Sequence, residues 1–474
     1  MKIPVKTPLF AWEWMPDRLT LEPIRQFLES VPDGKLLASL RGWRGKGRDD
    51  YPMPVLWGTL LVQIVLRHPT MEGCLEELVR NRDLRRLIGA EREDEVPKAW
   101  NMSRFLKVLG QEPHRSLLRG VFDGMVKRLA QAVPDLGEET AGDSTGLSAR
   151  RTRSKRGRKM RKEEALPEPD GGRQEYTDEN GNVTEVVEWF GYKFHLWVDK
   201  RHEVILAWRV TSTKVGDNEG VGELVKQAQE NVGEKRMKTL AYDKAADDEK
   251  VHAFLKENGI PGVFADRPAG LNAGLRIGKN IPVIQTRQMW KDEKERMLPG
   301  HDGRSNGVYD EAGTVWCYDK ESRKPVRRKM AYIGHEPGRG TLKYRCPARH
   351  EGFRCASECR CNAGKKYGRT VRVKQEWDLR RFPPIPRATQ TFERRYKGRT
   401  AVERVIARTK VFWGADDGNI TGPERFHAYI GAVMVVHAGL ATLLAKAERA
   451  EPGTLGRMRL GPIQKALREK PKPA

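Results

Sequence analysis

Apolar residues recur at helical spacing through the first third of the chain. Leu56, Leu60, Leu61, Ile64 and Val65 share one side of a helix, as do Leu118, Val121, Phe122, Met125 and Leu129. Thr70 and Asn101 stand where N-caps are expected. The breaks RHPT, EREDEVPKAW and GQEPH separate short helices, so residues 1–135 read as an all-α N-terminal domain, either scaffold or DNA-binding. The spacing then changes. Residues 184–213 alternate as two strands around a turn at Asp199-Lys200. GDNEGVGELVKQAQENV predicts a helix, MKTLAYDK a strand, ADDEKVHAFLKENG a helix and PGVFAD a strand. That order describes a mixed α/β layer over residues 136–266. Residues 267–385 interrupt it with Gly, Arg and Lys and with hairpin pieces such as VYDEAGTVWCYDK; this stretch reads as an insertion too polar to fold by itself. The pattern resumes over residues 386–446, first RATQTFERRYKGRT and then a long apolar helix, FHAYIGAVMVVHAGLATLLAKA. No apolar run approaches about 18 residues, so no bilayer span is expected. Residues 447–474 read as a basic, flexible tail.

Charge narrows the class of partner. Lys and Arg number 88 against 64 acids in 474 residues, a net charge of +24. Such an excess favours a polyanion, and nucleic acid more than a membrane. The run ARRTRSKRGRKMRKEE, with Arg153 and Arg156, is suited to tracking a phosphate backbone without reading sequence. The opening MKIPVKTPLFAWEWMPDR lacks the continuous apolar stretch of a signal peptide, which points to an intracellular protein. No glycine-rich nucleotide loop is present, so no nucleotide cofactor is expected.

The most informative segment is RRYKGRTAVERVIARTK. Tyr396, Arg399, Glu403 and Lys410 follow the pattern Y-x2-R-x3-E-x6-K, and steps of three, four and seven return to one side of a helix. The stripe would run about 21 Å at about 1.5 Å per residue. Arg399 and Glu403 at i, i+4 also fit an ordinary solvent salt bridge. Upstream acids favour the chemical reading. Asp143, in TAGDSTGLS, reads as a strand end open to solvent, and Asp243 ends the strand MKTLAYDK. Glu403 would complete a trio of carboxylates from a helix packed on the same sheet. Oxygen ligands of this kind select Mg²⁺ or Mn²⁺, and two such ions suit phosphodiester hydrolysis. Lys193 on an alternating strand is a candidate for facing DNA. His195 and Trp413 read mainly as core residues.

With these motifs in view, the chain resembles the DDE transposases of bacterial insertion sequences, in the group that carries the Y-x2-R-x3-E-x6-K signature. The likeness spans roughly residues 40–445 and includes Asp143-Ser144-Thr145, Gly191-Tyr192-Lys193-Phe194-His195, Thr211 with Asp217-Asn218, and Asp243-Lys244-Ala245-Ala246-Asp247. The resemblance implies a ribonuclease H-like mixed sheet flanked by helices. It implies that Asp143, Asp243 and Glu403 bind two metal ions, and that Tyr396, Arg399 and Lys410 hold phosphates at the transposon end. The implied activity is cutting of transposon ends and joining of the 3′-hydroxyl to target DNA. Its partners would be double-stranded DNA and a second copy of the chain, in the bacterial cytoplasm at the nucleoid. Ala245 and Ala246 depart from the Gly and aromatic residue usual there, which leaves Asp247 and Asp248 as alternative ligands. A decayed copy that only binds DNA, and a nuclease of the same fold, stand as the other readings.

Five of the six cysteines lie between positions 317 and 361. Cys317, Cys346, Cys355, Cys359 and Cys361 are candidates for a structural Zn²⁺ site, although C-x8-C-x3-C-x-C is not a standard zinc spacing. Unliganded, reduced cysteines are the competing reading.

Overall fold

The computed structural model describes residues 21–45, 50–150, 166–177, 182–234, 236–257, 281–284, 295–298, 307–310, 312–319, 326–356, 366, 368–446 and 455. Seven helices come first: α1 (Glu22–Ser30), α2 (Gly34–Arg44), α3 (Met53–Val65), α4 (Met71–Arg80), α5 (Arg82–Leu87), α6 (Ala99–Leu109) and α7 (His114–Ala132). Thr70 caps α4 as expected, its side chain accepting from the Gly73 N–H. Asn101 does not cap α6. Lys98 holds the cap position, and Asn101, one turn in, reaches back to accept from the Lys98 N–H at 3.2 Å.

The central sheet follows. Its strands are β1 (Glu139–Ser148), β2 (Asp170–Thr177), β3 (Val183–Asp199) and β4 (Ile205–Thr211). Helix α8 (Asp217–Val232), strand β5 (Thr239–Tyr242), helix α9 (Glu249–Glu257) and strand β6 (Ile281–Ile284) complete this part. β1 pairs antiparallel with β3 and parallel with β5, β5 pairs parallel with β6, and β4 pairs antiparallel with β3. The 17-residue β3 is long enough to serve two neighbours on one edge, β2 along its first half and β4 along its second, while β1 takes the other edge. The result is a mixed sheet flanked by helices. The predicted strand PGVFAD lies outside the described residues.

Asp143 sits in the middle of β1, paired with Leu196, rather than at a strand end. The glycines Gly142 and Gly146 around it disguise how far the strand extends. A Cβ on Gly142 would lie 2.3 Å from the Tyr242 ring and 2.7 Å from the Trp197 ring, both fully buried. Gly142→Ala is therefore expected to destabilise the protein by about 1–3 kcal/mol through overpacking. An unchanged denaturant midpoint would count against this account of β1.

Two smaller sheets fill residues 295–374. One contains β7 (Glu295–Met297), β8 (Gly307–Asp310), β9 (Val315–Asp319) and β10 (Val326–Lys329). The other contains β11 (Ala331–Glu336), β12 (Thr341–Arg345) and β13 (Thr370–Lys374), with the short helix α10 (Pro347–Glu351) between its last two strands. This part is not too polar to build a core. Alternation turns Leu342 and Tyr344, and Val371 and Val373, inward against Val315, Met330 and Phe382.

The chain returns to the central sheet through α11 (Gln390–Lys397) and α12 (Thr400–Ala407), and ends its described helices with α13 (Pro423–Lys446). The expectation that no apolar run reaches membrane length needs correction, because α13 is long and apolar enough. His427, Tyr429 and His437 conceal its length in the sequence. Every residue from Phe426 to Leu444 is buried, and the helix packs against α7, α6, α3 and β4. It is thus the axle of a core that the N-terminal helices and the sheet share.

Candidate active site

The Y-x2-R-x3-E-x6-K segment is not one continuous α-helix. It breaks at Gly398 and Arg399 between α11 and α12, and a π-helical turn spans Arg408–Phe412. Glycine weakens the helix at the break, and single π turns often lie at functional sites. Tyr396 thus sits on α11, Arg399 at the junction, Glu403 on α12 and Lys410 in the π turn. Glu203, buried in the β3–β4 turn, fixes the direction of α12. It pairs with Arg404 at 2.7 Å and also with Arg408.

Arg399 joins two candidate acids 260 positions apart (403 − 143). Its guanidinium donates to Asp143 Oδ2 at 2.9 Å and to Glu403 Oε1 at 2.5 Å. The i, i+4 salt bridge is therefore present, but it reaches across to β1 as well. The Arg399 side chain is 17% exposed and Glu403 50%. The Tyr396 ring, stacked on Phe392, has the Arg399 guanidinium 5.8 Å from its centre.

Asp243 follows the last residue of β5. The Ala245 N–H donates to Asp243 Oδ1 at 2.9 Å, so what the turn asks of residue 245 is a backbone donor. Burial pushes the Asp143 carboxyl up to about 7; the nearby charges of Asp243 and Asp217 add to the shift, while Arg399 opposes it. Burial and then the charge of Asp217 raise Asp243 as well. These two carboxylates share a buried pocket with Asp217, where Arg399 offsets only part of the repulsion among them. The alternatives to Asp243 are otherwise engaged. Asp247 is fully buried and pairs with Arg380 at 3.0 Å, Arg387 at 2.9 Å and His252 at 3.1 Å. Asp248 accepts from the Lys250 N–H at the start of α9.

Lys410 turns toward β1. Its ammonium donates to the Gly146 carbonyl at 2.9 Å and pairs with Asp416 at 2.8 Å. Lys193 pairs with Asp217 at 2.7 Å. His195 is buried, its Nε2 2.9 Å from the Thr211 hydroxyl, and Trp413 is buried in the core. Asp217 is the residue to which the sequence reading gave no role. It lies 74 positions from Asp143 (217 − 143), and its sequence signals are an acid opening a helix and its place in the Thr211 with Asp217-Asn218 likeness, neither of which names a role.

Among the described residues, no three His, Cys, Asp or Glu side chains stand together as a ready ligand set. The Arg399 cation stands between Asp143 and Glu403 instead. Arg153 and Arg156 lie outside the described residues, as do Cys359 and Cys361. Cys346 is buried, Cys317 and Cys355 are half-buried, and none of the three is in a disulfide.

Two protein-family models match the chain. Residues 137–438 match a transposase DDE domain, and residues 13–108 match a transposase domain (DUF772). No curated protein matches it.

Proposed function

The chain belongs to the DDE transposases, a family that binds DNA and depends on divalent metal, and from that premise we propose that Asp143, Asp243 and Glu403 are its catalytic acids. They would hold two Mg²⁺ or Mn²⁺ ions, with which the protein cuts the transposon end and joins the freed 3′-hydroxyl to target DNA. The observation that carries this reading is the Arg399 bridge. One cation ties Asp143 to Glu403 while Asp143 and Asp243 repel each other. Carboxylates short of positive charge, with only hard oxygen donors, fit Mg²⁺ or Mn²⁺. When bound, such ions activate the attacking oxygen and neutralise the leaving one.

The chain's own groups do the positioning. The Ser144 N–H, 2.8 Å from Asp143 Oδ1, holds that carboxylate in place. The Ala245 N–H does the same for Asp243. Arg399 is suited to a bidentate phosphate grip once it leaves the acids. Tyr396 lines its path, and Lys410 and Lys193 would exchange an acid partner for a phosphate. Arg153 and Arg156 would follow the backbone further out. The helices of residues 1–135 would bind the ends, and two copies of the chain would hold two ends together. Cys317 and three of Cys346, Cys355, Cys359 and Cys361 would supply a structural zinc site in the 267–385 insertion.

Glu403→Gln is expected to lower Mg²⁺-dependent strand cleavage by about 10²–10⁴-fold, the scale of losing a ligand that stabilises developing charge. Undiminished cleavage would remove Glu403 from the trio. The nuclease reading differs in one product: precut ends supplied with target DNA yield joined strands only if the protein transfers strands.

A further inference from the structure

The Lys193–Asp217 ion pair stands at the edge of the carboxylate pocket. Lys193 lies on β3 opposite Gly146 of β1 and Thr211 of β4. Its ammonium is 2.7 Å from Asp217 Oδ1 and donates to the Val215 carbonyl at 3.1 Å. The same Asp217 oxygen accepts from the Ser144 hydroxyl at 2.5 Å, and Ser144 adjoins Asp143. The pair is 18% and 16% exposed. His195 Nδ1 is 3.8 Å from Asp217, and burial holds that imidazole down at about 4, so it is neutral near pH 7. Asp143, Asp243, Arg399 and Glu403 also carry charge at the pocket, and Lys410 reaches the neighbouring Gly146.

An ammonium at the edge of a metal pocket is an electrostatic problem, because its charge opposes a divalent ion held there. A carboxylate placed against it cancels that opposition. The same ammonium, once drawn onto a phosphate, leaves a carboxylate that strengthens the hold on a divalent ion. We propose that Asp217 is a positioning residue: it stores the Lys193 ammonium in neutralised form beside the metal acids and yields it to a DNA phosphate when the strand enters. This rests on the reading of Asp143 and Asp243 as metal acids.

The proposal gives the two partners of one ion pair opposite signs on metal affinity and gives Lys193 a phosphate contact, which a merely structural salt bridge would not have. Mn²⁺ affinity of the full-length, DNA-free chain, measured by calorimetry, is the readout. Asp217→Asn keeps an acceptor for Ser144 and is expected to weaken Mn²⁺ binding by about fivefold to thirtyfold, from loss of one charge within a few ångströms of the pocket. Lys193→Gln is expected to tighten it by a comparable factor. Lys193→Gln should also lower the slope of log affinity against log salt for an arbitrary 30-base-pair duplex by about one. The double variant should return to within about threefold of the native Mn²⁺ affinity. Single variants that shift Mn²⁺ affinity in the same direction, or leave it unchanged, overturn the proposal. If Asp217→Asn does not fold, Lys193→Gln decides alone, since only tightening supports the idea. Asp143→Asn in parallel separates the failures. Mn²⁺ binding unaffected by that change sinks the reading of the acids, and the inference with it; Mn²⁺ binding lost there but indifferent to the pair sinks the inference alone.

Discussion

Asp143→Asn is expected to lower strand cleavage by about a thousandfold or more, and yet to leave the metal-free protein at least as stable as the native chain at pH 8. The first effect follows from removing a charged oxygen from the proposed metal acids. The second follows from what it costs to keep that charge in place. In the folded chain burial raises the Asp143 carboxyl from an ordinary 3.8 to about 7. Between those values the folded state holds a proton that the unfolded state has released. Stability therefore falls as pH rises from about 4 through 7. A shift of this size is on the order of 2–4 kcal/mol by pH 8. The asparagine variant carries no such proton, so its stability should not follow that fall. Denaturant midpoints of both proteins in chelator at pH 5.5 and pH 8 measure the difference. A native chain that loses nothing relative to the variant would refute the electrostatic account, and an actively cleaving variant would refute the catalytic one. Activity bought with local instability is common where acids must converge.

What the sequence disclosed of this site follows from which signals are local. β3 and β4 were legible because alternation over residues 184–211 is a neighbour-by-neighbour property. Asp243 was legible as the end of a short apolar strand. β1 was legible only as a strand ending at Asp143; its run on to Ser148 was not, because Gly142 and Gly146 lower strand propensity. Those glycines exist to admit rings from elsewhere: Tyr242 and Trp197 over Gly142, Trp189 over Gly146. The fourfold stripe was legible as a spacing, but the break at Gly398 and the π turn at Arg408 were not, since both depend on what α12 docks against. Glu203 illustrates the point, being a buried acid in a turn that orders Arg404 and Arg408 from two hundred residues away. Asp217 was hidden for the same reason: its significance is the convergence of α8, β1 and β3 on one corner. The long α13 was legible as apolar, but periodicity cannot tell a core axle from a membrane span; the burial of Phe426 through Leu444 does.

Two aspartates in one turn should behave oppositely. Asp247→Ala is expected to cost about 3–5 kcal/mol of stability, the scale of removing one partner from a buried ion pair. Asp247 is fully buried, and it is the carboxylate shared by Arg380 and Arg387, which are 12% and 5% exposed. Those arginines belong to the segment that leads from β13 back to α11, so Asp247 bolts that segment to the turn after β5. Without it, two buried guanidiniums lose the carboxylate between them. Adding Arg387→Met should recover part of the loss, because it removes one of the two buried cations that Asp247 had neutralised. Asp243→Asn, four residues earlier, is expected to do the reverse. Burial already raises the Asp243 carboxyl, so neutralising it should leave the unfolding midpoint unchanged or higher while Mn²⁺ binding falls. The pair of measurements thus decides which aspartate of Asp243-Lys244-Ala245-Ala246-Asp247 serves the metal. An Asp247→Ala protein that keeps its stability but loses Mn²⁺ would make Asp247 the ligand and Asp243 a turn residue. The buried arginines argue for the opposite outcome, since a carboxylate already satisfied by two cations has little left to offer a third.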